Sequence, residues 1–246
     1  MDSRNAAEWT RSLELLRDLD PEWSEAYSSM VIDPFLSGTF PAKEYHLIAV
    51  GLSASATNSN ETALRRHVAS ALRAGASKAE ILEVLKMAAL VALHSMSMGA
   101  PMLLEAAEDA GETFEHELDG AMPACDAMKS MGRWNTAWDP FFELDPIWTE
   151  AFVAAVAGLY TNGVLTPKFI ELASIAIDAS VTHMYAPGTQ HHIKAALALG
   201  ATPEEIMTVL KLCVSQGADA LHRGVPILAE EAERFAAGAT PETQTS

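Results

Sequence analysis

The sequence is poor in residues that many functions require. Only two cysteines, Cys125 and Cys213, occur in 246 residues. That is too few for a disulfide framework or a Cys-rich zinc site, and lying so far apart in the chain they form no CxxC redox pair. Basic residues are scarce as well: 16 Lys and Arg stand against 33 Asp and Glu, a formal net charge of −17. Binders of nucleic acid and of anionic membranes depend on clustered positive charge, so neither partner is expected. The acid is spread along both halves of the chain and gathers into no tail. No GxGxxG, GxxxxGK[ST] or GxSxG occurs, which leaves nucleotide binding and a serine nucleophile without a motif. The amino end has no apolar core of a leader, and no apolar run is read as reaching the ~18 residues of a membrane span. A soluble, unexported protein of the reducing cytoplasm is expected. Alternating strand-like runs bounded by hairpin turns are absent too.

What is present is a repeat. Laid on itself with an offset of 125 residues, the segment from Asp18 to Glu108 matches Glu143 to Glu233 without a gap, about 29 of 91 positions being identical. LDPEWSEA pairs with LDPIWTEA, HVASALRAGA with HIKAALALGA, AEILEVLK with EEIMTVLK, and GAPMLLEAAE with GVPILAEEAE. Two fused copies of one unit are expected, over 18–110 and 143–236. The connection, 111–142, carries Trp134, Trp138, Phe141 and Phe142, too much aromatic surface for a floppy linker, and is expected to pack across the units. The small polar end GATPETQTS is expected to fray.

Both units read as helical. Asp20-Pro21, Asp145-Pro146 and Thr166-Pro167 each place an N-cap residue and a first-turn proline before an apolar-periodic stretch. Ser77 with Glu80, and Thr202 with Glu205, have the spacing of capping boxes, and Gly75 and Gly200 just before them read as terminators of the preceding helix. The fold class is all-α.

Candidate chemistry concentrates in THMYAPGTQHHIKAALALG of the second copy. Pro187-Gly188 is expected to break the chain between two helices, with Thr189 capping the second. His183 and Tyr185 then lie before the break and His191 and His192 after it. His192 shares a face with Ala195, Ala196 and Leu199, so core packing competes with catalysis as its explanation. Its repeat partner is His67, and histidine in both copies suggests a constraint beyond packing. On the preceding helix, Lys168 and Asp178 are read as a solvated stripe. Glu171 is a carboxylate one helix away that can orient a histidine. His46 holds its place in the first copy. Asp219 and Arg223 read as an ordinary i,i+4 surface pair. A carboxylated substrate still needs a cation, and Arg223, or Arg65-Arg66 beside His67, are the candidates. His222 accompanies them. The histidine spacings fit no metal-ligand signature, so no metal is expected. The methionines, Met96, Met98 and Met102 among them, read as core or pocket lining.

ELASIAIDASVTHMYAPGTQHHIKAALALGATPEEIMTVLK and HLIAVGLSASATNSNETALRRHVASALRAGASKAEILEVLK resemble the carboxymuconolactone decarboxylase superfamily, which includes the alkylhydroperoxidase D peroxidases. The likeness covers about three quarters of the chain. It implies an all-α fold and assembly into a homo-oligomer, here a dimer or trimer of fused pairs. The peroxidase branch uses Glu, CxxC and His; Glu171 and His192 or His191 match, but the cysteine positions fall near His183 and within Tyr185–Gly188. Both thiols are missing, which disfavours a thiol peroxidase. The decarboxylase branch needs no cofactor. The resemblance therefore implies a cofactor-independent acid/base enzyme for a small carboxylated lactone or enolisable keto acid. His192 and His183 are the expected acid or base, Tyr185 the oxyanion donor and Glu171 the orienting carboxylate. His191, Arg223, His222 and His67 are expected to bind substrate. An isomerase, a lactonase or other hydrolase, and a non-catalytic binding protein are the alternatives.

Overall fold

The computed structural model describes residues 3–116 and 120–238, leaving most of the polar carboxyl end outside the described residues. All regular secondary structure among the described residues is helical, with no strand among them. An N-terminal helix, α1 (Ser3–Leu19), precedes the first copy. That copy comprises α2 (Pro21–Leu36), α3 (Ala42–Ala54), α4 (Glu61–Arg73), α5 (Lys78–Leu90) and, after a 3₁₀ turn, α6 (His94–Ala110). The connection folds into α7 (Pro123–Ser130) and α8 (Asp139–Leu144). The second copy follows as α9 (Pro146–Thr161), α10 (Pro167–Ala179), α11 (Ala186–Ala198), α12 (Pro203–Val214) and α13 (Ala218–Ala236). The boundaries of α2, α3 and α4 fall 125 residues before those of α9, α10 and α11.

Local chemistry explains those boundaries. Asp20 and Asp145 accept from the backbone N–H of Trp23 and Trp148 at 3.0 and 2.9 Å. Ser77 and Thr202 form complete capping boxes with Glu80 and Glu205. Gly75 and Gly200 turn the chain at φ +89 and +84, and the following N–H groups of Ala76 and Ala201 reach back to Ala71 and Ala196 at 2.9 Å. Only glycine takes that left-handed turn without strain. Thr202→Ala is expected to lower stability by about 1 kcal/mol, read from the denaturant midpoint.

The two copies pack on each other through their central helices. α3 and α10 lie side by side and share one core, where Leu47, Ile48, Val50, Ile170, Leu172 and Ile175 are all essentially solvent-free. A Cβ on Gly51 would stand 3.2 Å from both Ile177 and Val84, so the approach of α3 to α10 depends on its absence. Thr57 and Thr182, which occupy the same place in the two copies, touch each other at 3.1 Å. A residue can meet its own repeat mate only where a local two-fold axis passes, and this contact marks that axis. Lys43–Glu80 and Lys168–Glu205, both 2.7 Å, are one ion pair made twice. Lys168 is thus a partner of Glu205 and not part of a free solvated stripe.

The connection builds a second apolar cluster. Cys125 and Met128 of α7 and Phe141 of α8 pack with Ala100 of α6 and Phe152 and Val153 of α9, with Trp134 and Trp138 against them. Glu150 receives the N–H groups of Ala124 and Cys125 at 2.7 and 2.9 Å, anchoring the start of α7.

Two expectations change here. Met98 and Met102 are 61% exposed on α6, so they line no core, and of the three methionines on α6 Met96 alone packs inward. The uncharged 18-residue stretch from Met87 to Leu104, mean hydropathy 1.5, does reach the length of a membrane span within the helical run Lys78–Ala110. Its α5 part is bound into the core through Val84, Met87 and Ala88, and its α6 part starts at His94.

Candidate active site

α10 and α11 form the frame of the site. Glu171 and Asp178 are seven residues apart on α10, on one face, and both are buried beneath α11. Asp178 was expected in the solvated stripe, yet its residue is only 3% exposed. The reason is the helix itself: α10 is buried on nearly all sides, so its polar groups point into the interior.

His192 projects from α11 onto this face. Its Nδ1–H donates to Glu171 Oε2 at 2.6 Å, while the Tyr160 hydroxyl donates to Glu171 Oε1 at 2.7 Å. A carboxylate only accepts, so this bond places the imidazole proton on Nδ1 and leaves Nε2 as the basic nitrogen. Burial first, then the charge of Glu171, pushes the Tyr160 phenol well above its ordinary value, which keeps it a donor. Nε2 of His192 faces Asp178 Oδ2 at 3.8 Å. Burial pushes the Asp178 carboxyl up to about 7, against the pull of His192.

The loop between α10 and α11 adds His183 and Tyr185. Met184 takes φ +54 there, and Ser59 takes φ +47 at the same place in the first copy. This reversal lets the Tyr185 N–H reach the Asp178 carbonyl at 2.8 Å. α11 starts at Ala186, so Pro187-Gly188 lies in its first turn and not between helices. Thr189 is inside the helix, donating to the Tyr185 carbonyl at 2.9 Å, and does not cap it. Gly188 packs directly on Asp178: a Cβ would overlap Oδ2 outright and lie 2.7 Å from the Tyr185 ring.

The sequence reading missed the residue that closes the site. His94, the first residue of α6, comes from the other copy. Its ring stacks on Tyr185 with centroids 3.7 Å apart, and its Nδ1 is 2.6 Å from His183 Nε2 and 3.7 Å from Asp178 Oδ1. Burial, then the His183 and His192 rings, holds His94 down to about 4. Burial also lowers His183 and His191. His191 packs edge-on against His192 with centroids 5.2 Å apart. Position 94 matches Asp219 in the repeat, so the second copy gave no signal for it. Asp178 was legible in principle, since it shares the Glu171 face.

The other predicted residues gather elsewhere. His67 of α4 lies against His46 of α3, Nδ1 to Nδ1 at 3.4 Å, and Arg66 lies 3.4 Å from His67 Nε2. His222 of α13 lies near enough to Arg66 to feel its charge. Asn60 donates to Asp219 Oδ2 at 2.6 Å. This is the first copy's counterpart site, completed by α13 as α6 completes the other. His67 and His222 therefore do not join His192. Arg223 is exposed and bonds the Asp219 carbonyl at 3.2 Å, because the Asp219 carboxylate is taken by Asn60. Arg65 is paired with exposed Glu61.

The two sites differ in charge. Where Glu171 supports His192, the first copy puts an imidazole and a guanidinium on His67. Burial, then Arg66 and His46, holds His67 down to about 3, and burial with Arg66 holds His222 down to about 3. Both rings are neutral when folded and start from an ordinary 6.5, so their stability contribution is complete above that value. It is lost as pH falls from about 6.5 toward about 3, where the unfolded chain takes up protons and the folded one does not. Arg66 acts on both rings and His46 on His67, while Arg73 lies near His46 and Asp219 near Arg66. His67→Gln is expected to flatten the fall of stability across that window, measured as denaturant midpoint against pH.

Neither thiol serves the chemistry. Cys125 and Cys213 are buried and unbridged, and burial, joined by Glu150 at Cys125, pushes each up to about 12. A cavity of about 590 Å³ lined by Arg17, Ser24, Ser28 and Ile32 holds none of the site groups.

A duplicated all-α scaffold with a histidine–carboxylate site at the junction of its copies is thus defined. The chain belongs to the carboxymuconolactone decarboxylase family, whose sequence profile it matches over residues 21–98 and 146–230. The crystal structure of a protein provisionally named a gamma-carboxymuconolactone decarboxylase subunit, from Burkholderia xenovorans LB400, is similar with a TM-score of 0.82 and 32% identity. That similarity covers 95% of this chain and 98% of the other. Comparison with curated protein sequences gives no significant match.

Proposed function

We propose that the chain is a carboxy-lyase that works by acid/base chemistry on a small carboxylated lactone or enolisable keto acid. The observation that carries this reading is the bond of His192 Nδ1 to Glu171 at 2.6 Å, which fixes the tautomer and leaves Nε2 to hold or release a proton. The substrate's C–C bond to its carboxylate breaks, CO2 leaves, and the electron pair passes into the conjugated carbonyl. Protonated His192 Nε2 then delivers its proton to the carbon that lost CO2, and solvent reprotonates the ring. Glu171 offsets the charge of the imidazolium, and Tyr160 holds Glu171 in place. Tyr185, stacked beside His94, is the donor to the developing enolate oxygen. The family membership and the similarity to a provisionally named decarboxylase subunit support the same reading.

Homo-oligomer formation belongs to this proposal. The outer faces of α6 and α13 support it, with Met102 and Leu103 matched by Ile227 and Leu228, all more than half exposed. A panel of unsaturated lactone acids and keto acids, followed for CO2 release, tests the activity. Release by the wild-type chain that falls with Glu171→Gln supports the assignment; no release with any member would refute it.

A further inference from the structure

We infer that His94, Asp178 and His183 form a binding site for a divalent first-row transition metal ion, with Zn²⁺ the type ion, built from both copies of the repeat. Nothing in the spacing of histidines along either copy shows it, because one ligand comes from α6 and two from α10 and the loop after it. One ligand atom from each side chain, His94 Nδ1, His183 Nε2 and an Asp178 oxygen, lies within 4.8 Å of the others. Two ligands around one tetrahedral zinc, each at ~2.1 Å, stand ~3.4 Å apart. His94 Nδ1 and Asp178 Oδ1 are 3.7 Å apart, which is close to that spacing and too long for a hydrogen bond. The two imidazole nitrogens are 2.6 Å apart and share a proton. A divalent ion replaces that proton, and the rings then part by less than ~1 Å.

A second observation points to a missing ligand partner. Asp178 Oδ2 is buried, its side chain only 4% exposed, and it has no hydrogen-bond partner among the described residues. A carboxylate in that state is destabilising unless something positive answers it. Neither of the two rings nearest the carboxylate hydrogen-bonds it: His94 Nδ1 stands 3.7 Å from Oδ1 and His192 Nε2 3.8 Å from Oδ2. Gly188 removes the side chain that would fill the space beside Oδ2, as a Cβ there cannot coexist with it. The counterpart site has Ser53 for Asp178, Asn58 for His183 and, from α13, Asp219 for His94, so it offers no such ligand set. Two imidazoles and one carboxylate suit zinc, cobalt or iron better than calcium or magnesium, and three protein ligands leave positions open for a further group. The stacking of His94 on Tyr185 fixes the ring plane that the ion requires.

The test is titration of the untagged, chelator-treated full chain with Zn²⁺ by calorimetry, and with Co²⁺ by visible absorption. One equivalent per chain is expected, with a cobalt spectrum of low-symmetry, four- or five-coordinate type. Affinity should fall by at least ~100-fold in His94→Gln, Asp178→Asn and His183→Gln, and stay unchanged in His116→Gln. His183 lies in a partly exposed loop, so its variant tests the site even if the buried changes disturb folding. Absence of stoichiometric binding, or binding of equal strength in His183→Gln and the wild type, would overturn the inference. The result is read without any substrate, so it stands or falls separately from the decarboxylase reading.

Discussion

Replacing His192 by glutamine is expected to reduce CO2 release by roughly 10²–10⁴-fold, the share of rate that a positioned general acid or base supplies. The same change at His67, its repeat partner, is expected to leave the rate close to that of the wild type. The contrast follows from what each ring faces. His192 has a carboxylate on Nδ1, and its Nε2 faces Asp178 Oδ2 at 3.8 Å. His67 is set between His46 and a guanidinium, and its basicity is suppressed. Glutamine keeps much of the shape and a hydrogen bond to Glu171 but cannot carry the proton. Steady-state rates on the best substrate of the panel, with circular dichroism to show that both variants fold, decide the matter. Equal losses in the two variants would remove the distinction between the copies.

Gly188→Ala is expected to be nearly as damaging, although residue 188 carries no chemistry. The new Cβ collides with Asp178 Oδ2 and the Tyr185 ring, so the carboxylate and the ring stacked on His94 must both shift. Overpacking of this kind costs about 1–3 kcal/mol. A displacement of about 1 Å at a reacting group lowers turnover about 10²-fold. The first copy shows how the clash is relieved: Ala63 stands where Gly188 does, and Ser53 where Asp178 does. The double variant Asp178→Ser, Gly188→Ala is therefore expected to recover the melting temperature lost by Gly188→Ala without recovering activity. Thermal unfolding and rate measured on the same samples check both halves of this expectation. Recovery of neither stability nor activity would show that the two positions are not coupled in this way.

The architecture was legible because it is written in short-range signals. Capping boxes, first-turn prolines and the glycines at 75 and 200 act within a few residues, and the repeat doubles each signal. The pair His192 and Glu171 was legible for a related reason, since both lie in one copy, on successive helices. His94 was not legible. It reaches His183 across 89 positions, and its repeat mate is an aspartate with a different partner. Asp178 was misjudged because a carboxylate on a helix is ordinarily solvated, whereas α10 is enclosed by the second copy's own helices and by α3. The substrate-anchoring set was drawn from scarce basic residues without knowledge of the swap between copies. That swap, in which α6 and α13 each complete the other copy's site, placed His67 and His222 in a separate cluster and left Arg223 at the surface.

The most direct measurement follows a carbon-bound proton. In deuterium oxide, enolisable keto acids and unsaturated lactone acids are incubated with the chain, and deuterium entering the reacting carbon is followed by NMR. The account predicts incorporation by the wild-type chain, slower incorporation by Glu171→Gln and none above background by His192→Gln. Incorporation at the wild-type rate by folded His192→Gln would contradict it.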